Sequence, residues 1–350
     1  MSCTRTLVLY GSAHAAVDAA CAALLFGWFV SHHGDAGAFA ALAAAYGLLA
    51  FGLQPLLALT VDRRQWYRQA AATGCALTAA AMLVPGSLPI LAVCIAGAGN
   101  ALFHLGGGSV GLRLRPGLAA PAGIFVAPGA VGLFLGTSLG ESGFSALWTG
   151  ALLLGIFSVL LLVHEAPVFQ PPGRPERPLG RGRLILLLLL SSVAMRSLLG
   201  LALSFPWTSA PALAPLLVLA AALGKGWGGV LADRFGWMRI AVCAPLMSMP
   251  LLMFGTASHV EKILAMFLVA TTMPVALAAV SESLPREPAF AFGLTGFALL
   301  VGALPGFSHL RPLTRLRDPM VAAELVCALA LCFGLRLAHL SHSPQPQHAE

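Results

Sequence analysis

Gly228-Gly229-Val230-Leu231-Ala232-Asp233-Arg234-Phe235-Gly236-Trp237-Met238-Arg239 closes one long apolar block, and Ala58-Leu59-Thr60-Val61-Asp62-Arg63-Arg64-Gln65-Trp66-Tyr67-Arg68 closes another. In each, an apolar run ends in small residues, then Asp-Arg, then a short basic turn. Small residues let two helices approach closely. An aspartate there can face the positive end of a neighbouring helix, while the basic turn stays at a membrane surface. A unit that recurs at matching positions points to a duplicated bundle.

Outward from these two units, apolar blocks fall at about 6–31, 37–61, 69–86, 88–112, 118–139 and 143–163. Six more follow at about 184–204, 209–232, 239–257, 262–283, 288–309 and 320–340. Each approaches the roughly 20 apolar residues that cross a hydrocarbon core of about 30 Å. Inside lipid such a block must be helical, because its backbone polar groups have no water to pair with. Strands of a membrane barrel would alternate in polarity instead. Hydrophobic residues make up 58% of the 350 and charged ones 9%, against about 25% charged in a soluble domain. The expected fold is an all-α membrane protein of about twelve transmembrane helices in two pseudo-symmetric six-helix halves. The halves are residues 1–163 and 184–340, and each Asp-Arg unit ends the second block of its half.

The break at 164–183 holds Pro167, Pro171, Pro172, Pro175 and Pro178 with Arg174, Arg177, Arg181 and Arg183, the composition of a solvated linker. Residues 341–350 read as a tail. The net charge of +7 sits mostly in short loops, where it sets orientation and does not imply a nucleic-acid partner. Counted by loop parity, Lys and Arg put both termini, linker and tail in the cytoplasm. Arg311, Arg315 and Arg317, in the last external loop, run against that rule. The apolar run from Leu7 is too short for a cleaved signal, and its helix continues through Val30, so it reads as a retained first span. The cysteines lack redox or zinc spacing and read as free thiols. The alanine- and arginine-rich composition suits a bacterial inner membrane. No H-E-x-x-H, G-x-S-x-G or close carboxylate pair is present, which argues against an intramembrane enzyme, and no cofactor or metal is expected.

The Asp-Arg units resemble the loop signature of the major facilitator superfamily, approximately G-x-L-a-D-r-x-G-r-k. The second copy carries Gly229, Asp233, Arg234 and Gly236; the first has Asp62 and Arg63, but Ala58 and Gln65 where glycines are usual. A closer resemblance is to the fosmidomycin-resistance branch. It rests on His14 and Asp18 in span one, Gly97-Ala98-Gly99-Asn100-Ala101-Leu102-Phe103-His104-Leu105 in span four, and Arg196 in span seven. The chain departs from that branch at Leu105 and Thr137, where it has prolines. The resemblance implies a central cavity lined by spans one, four, seven and ten, and solute transport by rocking of two halves. It favours efflux by proton antiport, while Thr137 leaves proton-coupled uptake open. A non-transporting sensor on the same fold is a further alternative.

A charge at the centre of a span costs about 2.5–3.5 kcal/mol on insertion scales, so Asp18 and Arg196 need a reason to be there. His14 precedes Asp18 by four residues and shares its helical face; Asn100 and His104 repeat that spacing. Asp18 with His14 is the expected proton-coupling pair. Arg196, Asn100 and His104 are the expected substrate-binding residues, with Arg196 favouring a small anionic solute. The competing reading is structural pairing among these groups. Glu324 reads as interfacial, at the external end of span twelve. The expected partners are thus a small-molecule substrate, protons and the lipid bilayer, with the protein a monomer.

Overall fold

The computed structural model describes residues 2–32, 36–140, 144–167, 179–207, 213–254, 258–307 and 317–339. Span one is the α-helix Cys3–Ala22, continued by a π-helical stretch Ala23–Phe29 and a last turn Val30–His32. Span two joins Ala36–Gly47, a π-helical Leu48–Gly52 and Gln54–Arg64. Spans three to six are Tyr67–Ala81, Pro89–Arg113, Ala120–Gly140 and Phe144–Val163. Spans seven to nine are Leu179–Trp207, Ala214–Phe235 and Trp237–Phe254. Span ten is His259–Thr271 with Met273–Ser283, span eleven Pro288–Ala303, and span twelve Arg317–Ala338.

Among the described residues, nine helices are long and apolar enough to cross a membrane, and Leu147–Val163 and Pro288–Ala303 are shorter apolar helices. Tyr67–Ala81 is shorter than its apolar block, because the chain turns ahead of Pro85 and span four starts afresh at Pro89. About twelve helical rods result, as the sequence implies. Span seven reaches back to Leu179, so Arg181 and Arg183 lie on its first turns. Arg181 donates there to the Leu337 carbonyl at 3.2 Å, tying the start of span seven to the end of span twelve. Linker residues 168–178, Arg311, Arg315 and the tail 341–350 lie outside the described residues.

The exterior is far more apolar than a soluble protein's. Leu56, Leu152, Leu187, Leu246 and Phe254 are exposed, while His14, Asn100, Arg196 and Glu324 are buried. An apolar exterior over a partly polar interior suits a lipid surround, where unpaired polar groups are the costly ones.

The chain divides into two compact units. The first comprises Met1–Leu114, Pro128–Val168 and Glu287–Phe297. Within it, span three packs on spans four and six, and span one packs on the same two. Span five meets span one along a stripe of glycines. A Cβ at Gly132 would strike the Ala15 carbonyl, one at Gly136 the Ala19 carbonyl, and one at Gly140 the Ala23 carbonyl at 2.6 Å. Only small residues allow helix backbones this close. The second unit comprises Arg115–Ala127, Phe169–Arg286 and Ala298–Glu350. There, span seven packs on span twelve and span eight on span ten, around Leu199, Leu213, Leu217, Leu252, Ala265, Val269 and Met320.

The two Asp-Arg turns share a backbone feature that their sequences hide. Three residues after each aspartate the chain takes positive φ, at Gly236 (99°) and at Gln65 (53°). Gln65 thus holds the turn that a glycine usually makes, in a left-handed conformation that costs an L-residue about 1–2 kcal/mol. Gln65→Gly is expected to stabilise the protein by up to about 1 kcal/mol. Gly236→Ala should destabilise it, because φ 99° with ψ 135° admits little but glycine. Thermal unfolding of both variants in detergent checks the opposite signs.

Candidate functional site

Four polar side chains from two helices meet inside the first unit. His14 and Asp18 stand one turn apart on span one, with His14 Nε2 3.2 Å from Asp18 Oδ2. Span four brings His104 against them: its Nε2 lies 3.0 Å from His14 Nε2 and 3.8 Å from Asp18 Oδ1. Asn100 Nδ2 donates to Asp18 Oδ1 at 3.4 Å. The carboxylate, Asp18, is the most open member, its side chain 19% exposed against 5% and 9% for the two imidazoles. Phe51, Phe103 and Phe292 stand around the imidazoles, with ring centroids about 6 Å away.

Hydrogen bonding assigns the protons. His104 Nδ1 faces the Asn100 carbonyl at 2.9 Å. A carbonyl only accepts, so Nδ1 carries the hydrogen and the Nε2 of a neutral His104 presents a lone pair. His14 Nε2 must then donate, and its one hydrogen is shared between His104 Nε2 and Asp18 Oδ2. Two acceptor atoms therefore compete for one hydrogen. Sequence spacing gave each helical pair; the crossing of spans one and four joins them.

Gly129 was not legible as part of this site. A Cβ on it would lie 2.5 Å from His14 Nε2 and 2.6 Å from Asp18 Oδ2. Span five thus presents bare backbone to the cluster. The signal was the glycine spacing that continues through Gly132 and Gly136.

Arg196 lies in the second unit and is buried. It donates to the Val269 carbonyl of span ten, and through Nη2 to Cys327 Sγ of span twelve at 2.9 Å. Its charge also acts on Glu324, which accepts from Ser248 Oγ at 3.0 Å. Glu324 is fully buried, which corrects the interfacial reading: span twelve turns this position inward, on the same face as Cys327. Arg196 Nε and Glu324 Oε2 are both buried without a hydrogen-bond partner. Glu324 sits three residues before Cys327, and that shared face was the only hint in the sequence.

The two loop units make matching contacts. Asp62 accepts from the backbone N–H of Ala289 at 3.0 Å and of Phe290 at 2.8 Å, at the first turn of span eleven. Asp233 accepts from Ala119 and Ala120, each at 2.8 Å, at the first turn of span five. Each carboxylate pairs two amides that a helix start leaves unbonded, at the positive end of the helix dipole. Aromatic donors complete both: Tyr67 Oη gives to Asp62 at 3.2 Å and Trp237 Nε1 to Asp233 at 3.0 Å. Gly229 permits the second contact, since a Cβ there would lie 2.7 Å from the Ala119 carbonyl oxygen. Arg63 and Arg234 are exposed, and Arg234 stacks over Phe235 at 5.4 Å.

No family model and no curated protein matches the sequence. Solved structures match nearly all of the chain. A major facilitator superfamily transporter, FucP, in the outward conformation aligns with a TM-score of 0.67 at 13% identity, over 97% of this chain and 99% of that one. The human organic anion transporter MFSD10 (TETRAN) aligns at 0.70 and 15% identity, over 96% and 100%. A bacterial homologue of the iron transporter ferroportin aligns at 0.64 and 14% identity, over 97% and 98%. The chain has the major facilitator fold. The three matched structures carry the name of transporters, and the buried cluster of spans one and four lies on helices that the superfamily resemblance assigns to a cavity.

The Asp233 contact can be tested by itself. Asp233→Ala strips the partner from two amides and an indole N–H. At about 1–3 kcal/mol for each buried donor left unsatisfied, it should lower the unfolding temperature measurably, whereas Asp233→Glu should recover part of the loss.

Proposed function

We propose that the protein is a secondary transporter that moves a small organic solute by alternating access, with the coupling proton held among His14, Asp18 and His104. The observation that carries this reading is the close spacing of the three titratable side chains. A half-buried carboxylate and two buried imidazoles stand within 3.8 Å of one another, and a change in their surroundings moves a proton on or off without any bond to carbon. Loading on one side of the membrane and release on the other would follow from rocking of the two halves.

The loop units fit this cycle. Asp62 in the N-terminal sequence half caps span eleven of the other half, and Asp233 caps span five in return. Rocking has to break and remake these carboxylate–amide pairs, so they act as latches for one arrangement. Arg196 holds an anionic group of the solute by exchanging its present partners, the Val269 carbonyl and Cys327, for that group. The His14, Asp18, Asn100, His104 and Arg196 set keeps the resemblance to the fosmidomycin-resistance branch and with it proton-driven efflux, from a monomer in a bacterial inner membrane with cytoplasmic termini. Uptake by proton symport is the second reading. It is favoured by Thr137, whose hydroxyl bonds the Leu133 carbonyl at 2.9 Å where that branch has a proline.

The test is proton movement in proteoliposomes carrying an internal pH dye while organic anions and drugs are added. Asp18→Asn is expected to abolish substrate-driven proton flux while leaving the protein inserted and monodisperse. The sign of the wild-type flux separates antiport from symport. Normal coupled flux in a well-inserted Asp18→Asn variant would sink the reading.

A further inference from the structure

The atoms that share the proton are also spaced like the donors around a metal ion. Nitrogen and oxygen ligands bind zinc-type cations at about 2.0–2.2 Å. Two such ligands subtending about 90–110° at the ion stand about 2.9–3.5 Å apart. The observed separations are 3.0 Å between the imidazole Nε2 atoms and 3.2 Å from His14 Nε2 to Asp18 Oδ2. His104 Nε2 lies 3.8 Å from the other carboxylate oxygen, Asp18 Oδ1, and with one atom from each residue the three donors lie within 4.8 Å of one another, so a small carboxylate rotation is needed to close the site. We propose that His14, Asp18 and His104 form a binding site for a divalent transition-metal cation, taken with a small anionic ligand that fills the remaining coordination positions.

Three further features support the site. Two imidazoles and one carboxylate suit zinc, cobalt, nickel or iron(II), and not calcium or magnesium, which prefer all-oxygen shells. The donors are already oriented from behind: His104 Nδ1–H bonds the Asn100 carbonyl and so aims Nε2 at the centre, and Asn100 Nδ2 holds Asp18 Oδ1. Such outer bonds typically fix metal-ligand geometry. Asn100 Oδ1, on the same 1%-exposed residue, is buried with no hydrogen-bond partner, leaving a polar atom to receive a bound water or ligand. Charge explains the anion. Two neutral imidazoles and one carboxylate leave a divalent ion with one net positive charge, which a low-dielectric site disfavours unless a further anion arrives with it.

The inference rests on the reading of this cluster as the exchange site, because the cation and the coupling proton would use the same lone pairs. Cation binding must therefore release protons and weaken as pH falls. The experiment uses the full chain, purified in detergent without a histidine tag and stripped with chelator, then titrated with Co2+ while its visible ligand-field absorption is followed. One equivalent should saturate the signal. His14→Gln and His104→Gln should abolish it, and Asn100→Ala should weaken affinity at least about tenfold. His259→Gln, which removes an exposed histidine at the start of span ten, should leave it unchanged. Should the histidine variants not fold, Gly129→Ala, which removes no ligand but crowds two of them, gives the same reading through weaker binding. Absence of a one-equivalent signal, or binding unaltered by these substitutions, overturns the proposal. Proton flux with organic solutes in metal-free buffer, together with no Co2+ binding, overturns the cation site and leaves the coupling reading standing. Saturable Co2+ binding without any proton flux supports the site and removes the coupling reading.

Discussion

In hydrocarbon no water is on hand to pair with a polar group, and the arrangement of this chain follows from that single constraint. Backbone groups meet it through long helices. Polar side chains meet it through one another. His14, Asp18, Asn100 and His104 are individually expensive inside a span, yet each bonds another member across the contact of spans one and four.

The second unit satisfies the constraint less completely. Arg196 has found a carbonyl and a thiol, and Glu324 a serine hydroxyl, but one polar atom of each remains unpaired. Isolated buried charges are costly, and removing either of two interacting ones leaves the other uncompensated. The two units thus hold different polar interiors: one built on a carboxylate, two imidazoles and an amide, the other on a guanidinium and a carboxyl group.

At the ends of spans two and eight the same physics serves assembly. A helix start has unpaired amides and a positive dipole end, and an aspartate from elsewhere in the chain answers both. Asp62 and Asp233 do so with nearly equal geometry although their flanking sequences differ. Gln65 keeps the positive φ of Gly236, and Tyr67 supplies the hydroxyl where Trp237 supplies an indole N–H. The likeness of the two turns is clearer in these contacts than in the letters.

The residues by themselves determined the membrane class, the run of about twelve helices and the pairing of His14 with Asp18 and of Asn100 with His104. Hydrophobic length and helical period are local properties, readable within a single segment. Tertiary structure alone decided that the two pairs form one cluster, that Gly129 lies against it, that Glu324 faces inward near Arg196, and which helix starts Asp62 and Asp233 bind. Each of those depends on which helices cross and at what height. Period shows which residues share a face, but the neighbour of that face is selected by close packing over the whole bundle, and a glycine declares its role only when another backbone arrives beside it.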